Sequence, residues 1–195
     1  MMRRRRLGAT IVSLGAAAML VPACGGMYAP QPTCGTENTN ALTLMAQAVP
    51  SATLVPCIAE FPAGWSYDGS RIRSGSAQFW LDSDRAGFRA LEVGLTESCD
   101  VSNAVEVTAG ADVVPGVRIY EEPLTLPPTF QANRYLLFPG GCVTNRFRFT
   151  TGASATLALE AQQALSFVSR SVLVEQAKEE TGLSLCGAEA PPCPG

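Results

Sequence analysis

Seven cysteines constrain this 195-residue chain more than any other feature: Cys24, Cys34, Cys57, Cys99, Cys142, Cys186 and Cys193. In an oxidising compartment an even set closes into disulfides, and an odd member needs its own explanation. No two cysteines have the Cys-x-x-Cys spacing, and the chain has no histidine. Neither a thioredoxin-like redox pair nor a common zinc set is therefore spelled out.

The N-terminus supplies both the compartment and the explanation. Arg3, Arg4, Arg5 and Arg6 precede an apolar stretch from Ile11 to Val21, and Ala23 closes it. These are the positive, apolar and small-residue parts of a secretory signal, with the arginines held on the cytoplasmic side. Val21-Pro22-Ala23-Cys24 resembles the bacterial lipobox, in which the Cys becomes a lipid-modified N-terminus; Pro22 stands where that pattern has Ala, Ser or Thr. Residues 1–23 are then a signal peptide, and lipid on Cys24, a palmitate or similar acyl chain, leaves six cysteines for three disulfides. The alternatives are plain secretion after cleavage at Ala23, or Leu7–Ala23 kept as a short anchor. All three readings place the rest of the chain at the extracytoplasmic face of the cell membrane or beyond it.

Four of the 14 basic residues belong to the signal and none of the 17 acidic ones, so ten face 17 and the mature part carries −7. An acidic body makes a poor nucleic-acid partner, because neutralising phosphates requires a basic footprint. The expected partners are the membrane, through the lipid anchor, and an envelope protein, lipid or glycan.

Residues 24–38, rich in Gly, Pro, Thr and Asn, suit a flexible tether. A single domain is expected over 39–183, followed by a Cys/Pro-rich tail at 184–195. Asn40 caps a short helix ending before Pro50. Ser76–Asp82 and Phe88–Leu95 read as strands about a turn, with Leu91, Val93 and Leu95 on one face. Shorter strands are expected at Ala104–Thr108 and Gly116–Glu121, and Pro123, Pro127 and Pro128 argue against regular structure beyond. Arg134–Phe138, Pro139-Gly140-Gly141 and the run from Cys142 form a hairpin, with Pro and Gly at the centre of a type II turn. Val143, Phe147 and Phe149 alternate with Thr144, Arg146, Arg148 and Thr150. Leu157, Ala161, Ala164, Leu165 and Val168 then make a helical stripe, and a second helix covers Val172–Thr181 with Gly182 as its stop. The expected fold is α+β: an antiparallel sheet of about five strands with two C-terminal helices packed on one face, stapled by disulfides.

Six cysteines allow 15 connectivities, and sequence does not choose among them. Proximity favours Cys34 with Cys57 around the first helix, Cys99 with Cys142 between a strand end and the hairpin turn, and Cys186 with Cys193 in the tail.

Ala46–Ala52 with Val55-Pro56-Cys57, Pro62-Ala63-Gly64-Trp65, Asp84-Arg85-Ala86-Gly87, Cys99-Asp100 and Phe138–Thr144 are together similar to a group of exported proteins from high-GC Gram-positive bacteria, described as hypothetical membrane proteins or lipoproteins. The likeness spans roughly residues 40 to 180, the size of one domain. It implies the exported address and a single domain, and it carries no functional residue.

Without histidine, Ser-His-Asp and Cys-His catalysis are excluded. Lys178 is the only lysine and has no Ser three residues before it, so the Ser-Lys motif of penicillin-binding enzymes is missing. Nucleotide and cofactor fingerprints are absent as well. Asp82-Ser83-Asp84 lacks the Gly and distal Glu of a calcium loop, so no metal site is expected. Carboxylate pairs drawn from Glu92, Glu106, Glu121 and Glu122 are the remaining catalytic option. Binding candidates are Arg146 and Arg148 with Arg134 on one strand face, and Trp65, Tyr67 and Trp80 as an aromatic platform. The expectation is a cell-envelope lipoprotein that acts as a binding or accessory module, not an enzyme. A lipid or glycolipid carrier is the alternative and a carboxylate hydrolase the third reading. A deep apolar cavity between sheet and helices distinguishes the carrier. Cys24→Ala should release the domain from membranes and abolish incorporation of radioactive fatty acid; wild-type protein found unlabelled in the medium contradicts the lipobox reading.

Overall fold

The chain is described by a computed structural model over residues 30–35, 40–108, 114–125, 129–150 and 155–193. The signal peptide and Cys24 lie outside the described residues. In order, the elements are α1 (Asn40–Ala48), β1 (Leu54–Ile58), β2 (Trp65–Arg73), β3 (Ser76–Ser83), β4 (Gly87–Thr96), β5 (Val105–Val107), β6 (Arg118–Thr125), β7 (Gln131–Phe138), β8 (Gly141–Arg148), α2 (Ala155–Gln163), β9 (Leu165–Ser169) and α3 (Arg170–Thr181).

Two-residue periodicity organises the body. Ala77, Phe79 and Leu81 of β3, Leu91, Val93 and Leu95 of β4, and Val143 and Phe147 of β8 all point to one side and are buried. Seven strands form one antiparallel sheet in the order β2-β3-β4-β8-β7-β6-β5. It consists of two meanders, β2–β4 and β5–β8, joined where β4 pairs with β8 from Leu91↔Phe147 to Thr96↔Cys142. The β7–β8 turn has Pro139 and Gly140 at its centre, with Phe138 opposite Gly141. Gly140 has φ +73°, and a Cβ there would run into the Ser51 carbonyl, so both backbone and space require glycine.

The structure is α+β, as expected, but it has nine strands among the described residues where about five were expected. β1 and β2 escaped because neither alternates. Leu-Val-Pro-Cys-Ile is apolar throughout and buried from its second residue, while β2 is polar, mostly half-exposed and shifts register between Tyr67 and Gly69. The helical stripe at 157–168 is also corrected. The helix stops at Gln163, and Leu165–Ser169 is a strand pairing antiparallel with β1 in a separate two-stranded ribbon. Tertiary pairing here overrides a periodicity that fits both states. β6 likewise runs through Pro123 to Thr125. β5 pairs only with Ile119–Glu121, so the missing Pro123 N–H falls where that neighbour has ended.

The helices gather over the buried face, here termed inner. α1 packs on β2 and β3, α3 packs against α1 and β9, and Leu42, Met45, Leu157, Ala158 and Leu173 join the sheet's core. α3 ends at Gly182, whose φ is +71° and whose N–H bonds the Lys178 carbonyl. Its first residue, Arg170, has no exposed surface and donates to the carbonyls of Ala46 (2.6 Å), Val49 (3.5 Å) and Cys186. Those of Ala46 and Val49 lie at the end of α1, where carbonyls lack intrahelical partners and the dipole favours a cation. Burial lowers the pKa of Arg170, and Glu189 opposes the shift.

The three expected disulfides are present. Cys34–Cys57, Cys99–Cys142 and Cys186–Cys193 have Cα separations of 5.0, 5.9 and 4.7 Å, within the range a bridge spans. Of the segment read as a tether, residues 30–35 run beside β1, where the Cys34 N–H bonds the Ile58 carbonyl (3.0 Å). In the tail, the Ala188 N–H bonds the Pro50 carbonyl (2.8 Å) and Leu185 is buried. Cys99–Cys142 spans 43 residues and clamps the end of the β4–β8 seam. Chain-entropy reasoning gives such a loop about 4 kcal/mol. The double variant Cys99→Ser/Cys142→Ser should lose stability of that order in denaturant titration; an unchanged midpoint would show that the seam holds without its clamp.

Candidate functional site

Antiparallel pairing aligns inward side chains into rows across the sheet. One inner row reads Val107, Ile119, Leu136, Val143, Leu95 and Ala77 from β5 to β3. Four residues along each strand, another reads Pro123, Ala132, Phe147, Leu91 and Leu81 from β6 to β3. Both are apolar. Between them, Glu121, Arg134 and Asn145 lie side by side on β6, β7 and β8, and Val93 continues the row on β4. A polar row thus crosses an apolar face.

Each buried polar atom costs free energy unless it is bonded. Arg134 Nη1 donates to Glu121 Oε1 at 2.7 Å, so these two charges neutralise each other. Asn145 is only 4% exposed, and its Oδ1 has no partner among the described residues.

Above this row, α2 and β9 stand off from the sheet and leave a cleft of about 470 Å³. Leu136, Val143 and Asn145 line it on the sheet side; Leu159, Gln162 and Phe167 line it on the other. A smaller cleft of about 270 Å³, lined by Phe130, Ala132, Phe147 and Ala158, adjoins it. The two share Arg134 on the sheet and Leu159 and Gln162 on α2. Leu159 is 56% exposed although it lines both. The larger volume suits a small organic ligand, and apolar walls with few polar groups are the usual composition of such sites. Another depression of about 410 Å³ lies over the Cys99–Cys142 bridge, formed by the β7–β8 turn, Glu97 and Arg118. None of the three buried unpartnered polar atoms found among the described residues lines it.

The candidates read from sequence are distributed differently from expectation. Arg146 and Arg148 share the outer face, but Arg134 lies opposite Asn145 and points inward. Trp65 is buried, with its ring edge-on to Phe149 at 6.4 Å. Tyr67 pairs with Leu81 on the inner side, whereas Trp80 pairs with Glu92 on the outer side. No common platform forms. Trp80 is only 7% exposed, donates to Glu92 Oε2 (3.1 Å), and has the Arg89 and Arg71 guanidinium carbons 4.6 and 5.6 Å from its ring centroid. These cations occupy the ring surface that a glycan would need.

The carboxylates are equally committed. Glu92 pairs with Arg146, and Tyr120 donates to Glu106 (3.3 Å). Glu122 accepts from Asn133 (2.9 Å) and Tyr135 (2.7 Å), and these bonds lower its pKa, the wrong direction for a general acid. Glu92 and Glu122 share an outer row with Arg146 and Asn133 between them, so three strand spacings, about 14 Å, separate their backbones. Arg146 and Asn133, which lie between them, hold the two carboxylates in these bonds. Among the described residues no three Cys, Asp or Glu side chains gather to hold a metal.

Asn145 is the site residue that sequence reading passed over. Its signal was present: it interrupts the inward series Val143, Phe147, Phe149 with a polar side chain. No protein-family model matches this chain, and no curated protein matches it. Among solved structures, a crystal structure of a protein from Bacteroides thetaiotaomicron VPI-5482 is similar at 12% identity and a TM-score of 0.33, over 69% of this chain and 61% of that one. The chain thus spans less than two thirds of that protein, and so low a score supports no argument about fold or function.

Proposed function

We propose that this chain is an exported, lipid-anchored binding module of the cell envelope that carries an elongated amphiphile in the inner-face cleft. The observation behind the reading is the cleft of about 470 Å³ between the sheet and the α2–β9 layer, where Leu136, Val143, Leu159 and Phe167 supply apolar wall beside Arg134, Asn145 and Gln162. The cleft opens to solvent beside the exposed Leu159, so a ligand could enter it. The signal and lipobox supply the address, and the anchor would hold the cleft near a membrane that contains acyl ligands. Catalysis finds little support there, since Glu121, a carboxylate of the adjoining smaller cleft, is tied to Arg134.

Leu159 separates binding from folding. Its exposure means that a charged replacement disturbs little core, yet the replacement would place a cation in the apolar passage. Wild-type protein should bind a fluorescent acyl probe with one-to-one stoichiometry. Leu159→Arg should weaken it at least tenfold, on the order of 1.4 kcal/mol, with an unchanged melting temperature. Equal binding by both proteins would remove the cleft from the function.

A further inference from the structure

The polar row specifies more than an apolar ligand. We infer that the cleft selects a neutral amphiphile with a hydroxyl near its acyl chain, such as a monoacylglycerol, and reads that hydroxyl with Asn145. The inference rests on the carrier reading above and adds the chemistry of the head.

Three observations lead there. First, Asn145 lines the larger cleft and is nine-tenths buried, and its Oδ1 lacks a partner among the described residues. Native proteins rarely leave such an atom unbonded; less than 1 Å² of it is accessible, so a donor in the cleft would satisfy it once the neighbouring side chains give way. Second, the adjacent charge is already balanced: Arg134 bonds Glu121 at 2.7 Å, so an anionic head would have to bring a second negative charge beside that carboxylate. A hydroxyl need not. It can donate to Asn145 and accept from the neighbouring guanidinium, of whose five N–H groups one serves the Glu121 bond. Third, Asn145 and Arg134 are cross-strand partners, so one head group can reach both. The adjoining cleft, floored by Ala132 and Phe147, continues past Arg134 and Leu159 and would receive the chain.

An apolar side chain at position 145 would suit the surrounding rows better, so asparagine here sacrifices stability for recognition. Displacement of a fluorescent acyl probe from the exported protein should therefore rank monopalmitoylglycerol about tenfold tighter than methyl palmitate or palmitate, the effect of one well-made hydrogen bond. Asn145→Leu should bring that ratio to about one and raise the melting temperature. Asn145→Val serves as the second variant if the leucine does not fit. A preference that survives both substitutions, or tighter binding of palmitate, overturns the hydroxyl inference while leaving the carrier intact. A lowered melting temperature in both variants overturns it too, because Asn145 would then be bonded within the domain. If none of the three amphiphiles displaces the probe from wild type, the carrier reading itself fails.

Discussion

Strand β4 meets β8 along six residue pairs, from Leu91↔Phe147 to Thr96↔Cys142, and this seam makes one sheet of two meanders. Each meander pairs strands that are consecutive in the chain, with at most ten residues, between β5 and β6, from one to the next. The seam instead closes a long loop before its contacts return any free energy. It is reinforced at several levels. Leu91 with Phe147 and Leu95 with Val143 bury apolar surface on the inner side, Glu92 with Arg146 joins the strands on the outer side, and Cys99–Cys142 fixes the end. Without the seam the inner face would be split, and the residues of the cleft would no longer share a surface.

The two halves of the sheet are covered unequally. α1 closes over β2 and β3, and Arg170 binds the end of α1 to the start of α3 and to the tail. Over β6 to β8 the cover is α2 and β9, and there the packing leaves open volume. Only at this half does the inner face carry the row Glu121, Arg134 and Asn145. Incomplete cover and polar inward residues therefore coincide, as expected where a ligand contributes part of the core.

Much of this architecture could be read in the chain. The alternation in β4 and β8, the Pro139-Gly140 turn and the glycine that stops α3 all come from local chemistry. Spacing favoured the disulfides that the structure contains. β1 was hidden as a short apolar run, and β9, Leu-Ser-Phe-Val-Ser, because its apolar residues also continue a helical stripe; each becomes a strand only by finding the other. The face of Arg134 was misread for a different reason. A two-residue turn after Phe138 pairs even-numbered residues of β7 with odd-numbered residues of β8, so Arg134 and Arg146 must lie on opposite sides. Asn145 was visible as a break in an apolar stripe, but its meaning depended on its neighbours Arg134 and Val93, which only the register supplies.

Methyl-resolved NMR of the protein with a spin-labelled acylglycerol tests the cleft most directly, since broadening reports distance to the label. The methyl groups of Leu136, Val143 and Leu159 line the cleft, whereas Leu44 and Leu183 are exposed apolar residues outside it. Saturable broadening confined to Leu136, Val143 and Leu159 is the predicted result. Broadening centred on Leu44 and Leu183, or spread evenly over all five, would contradict an inner-face ligand site.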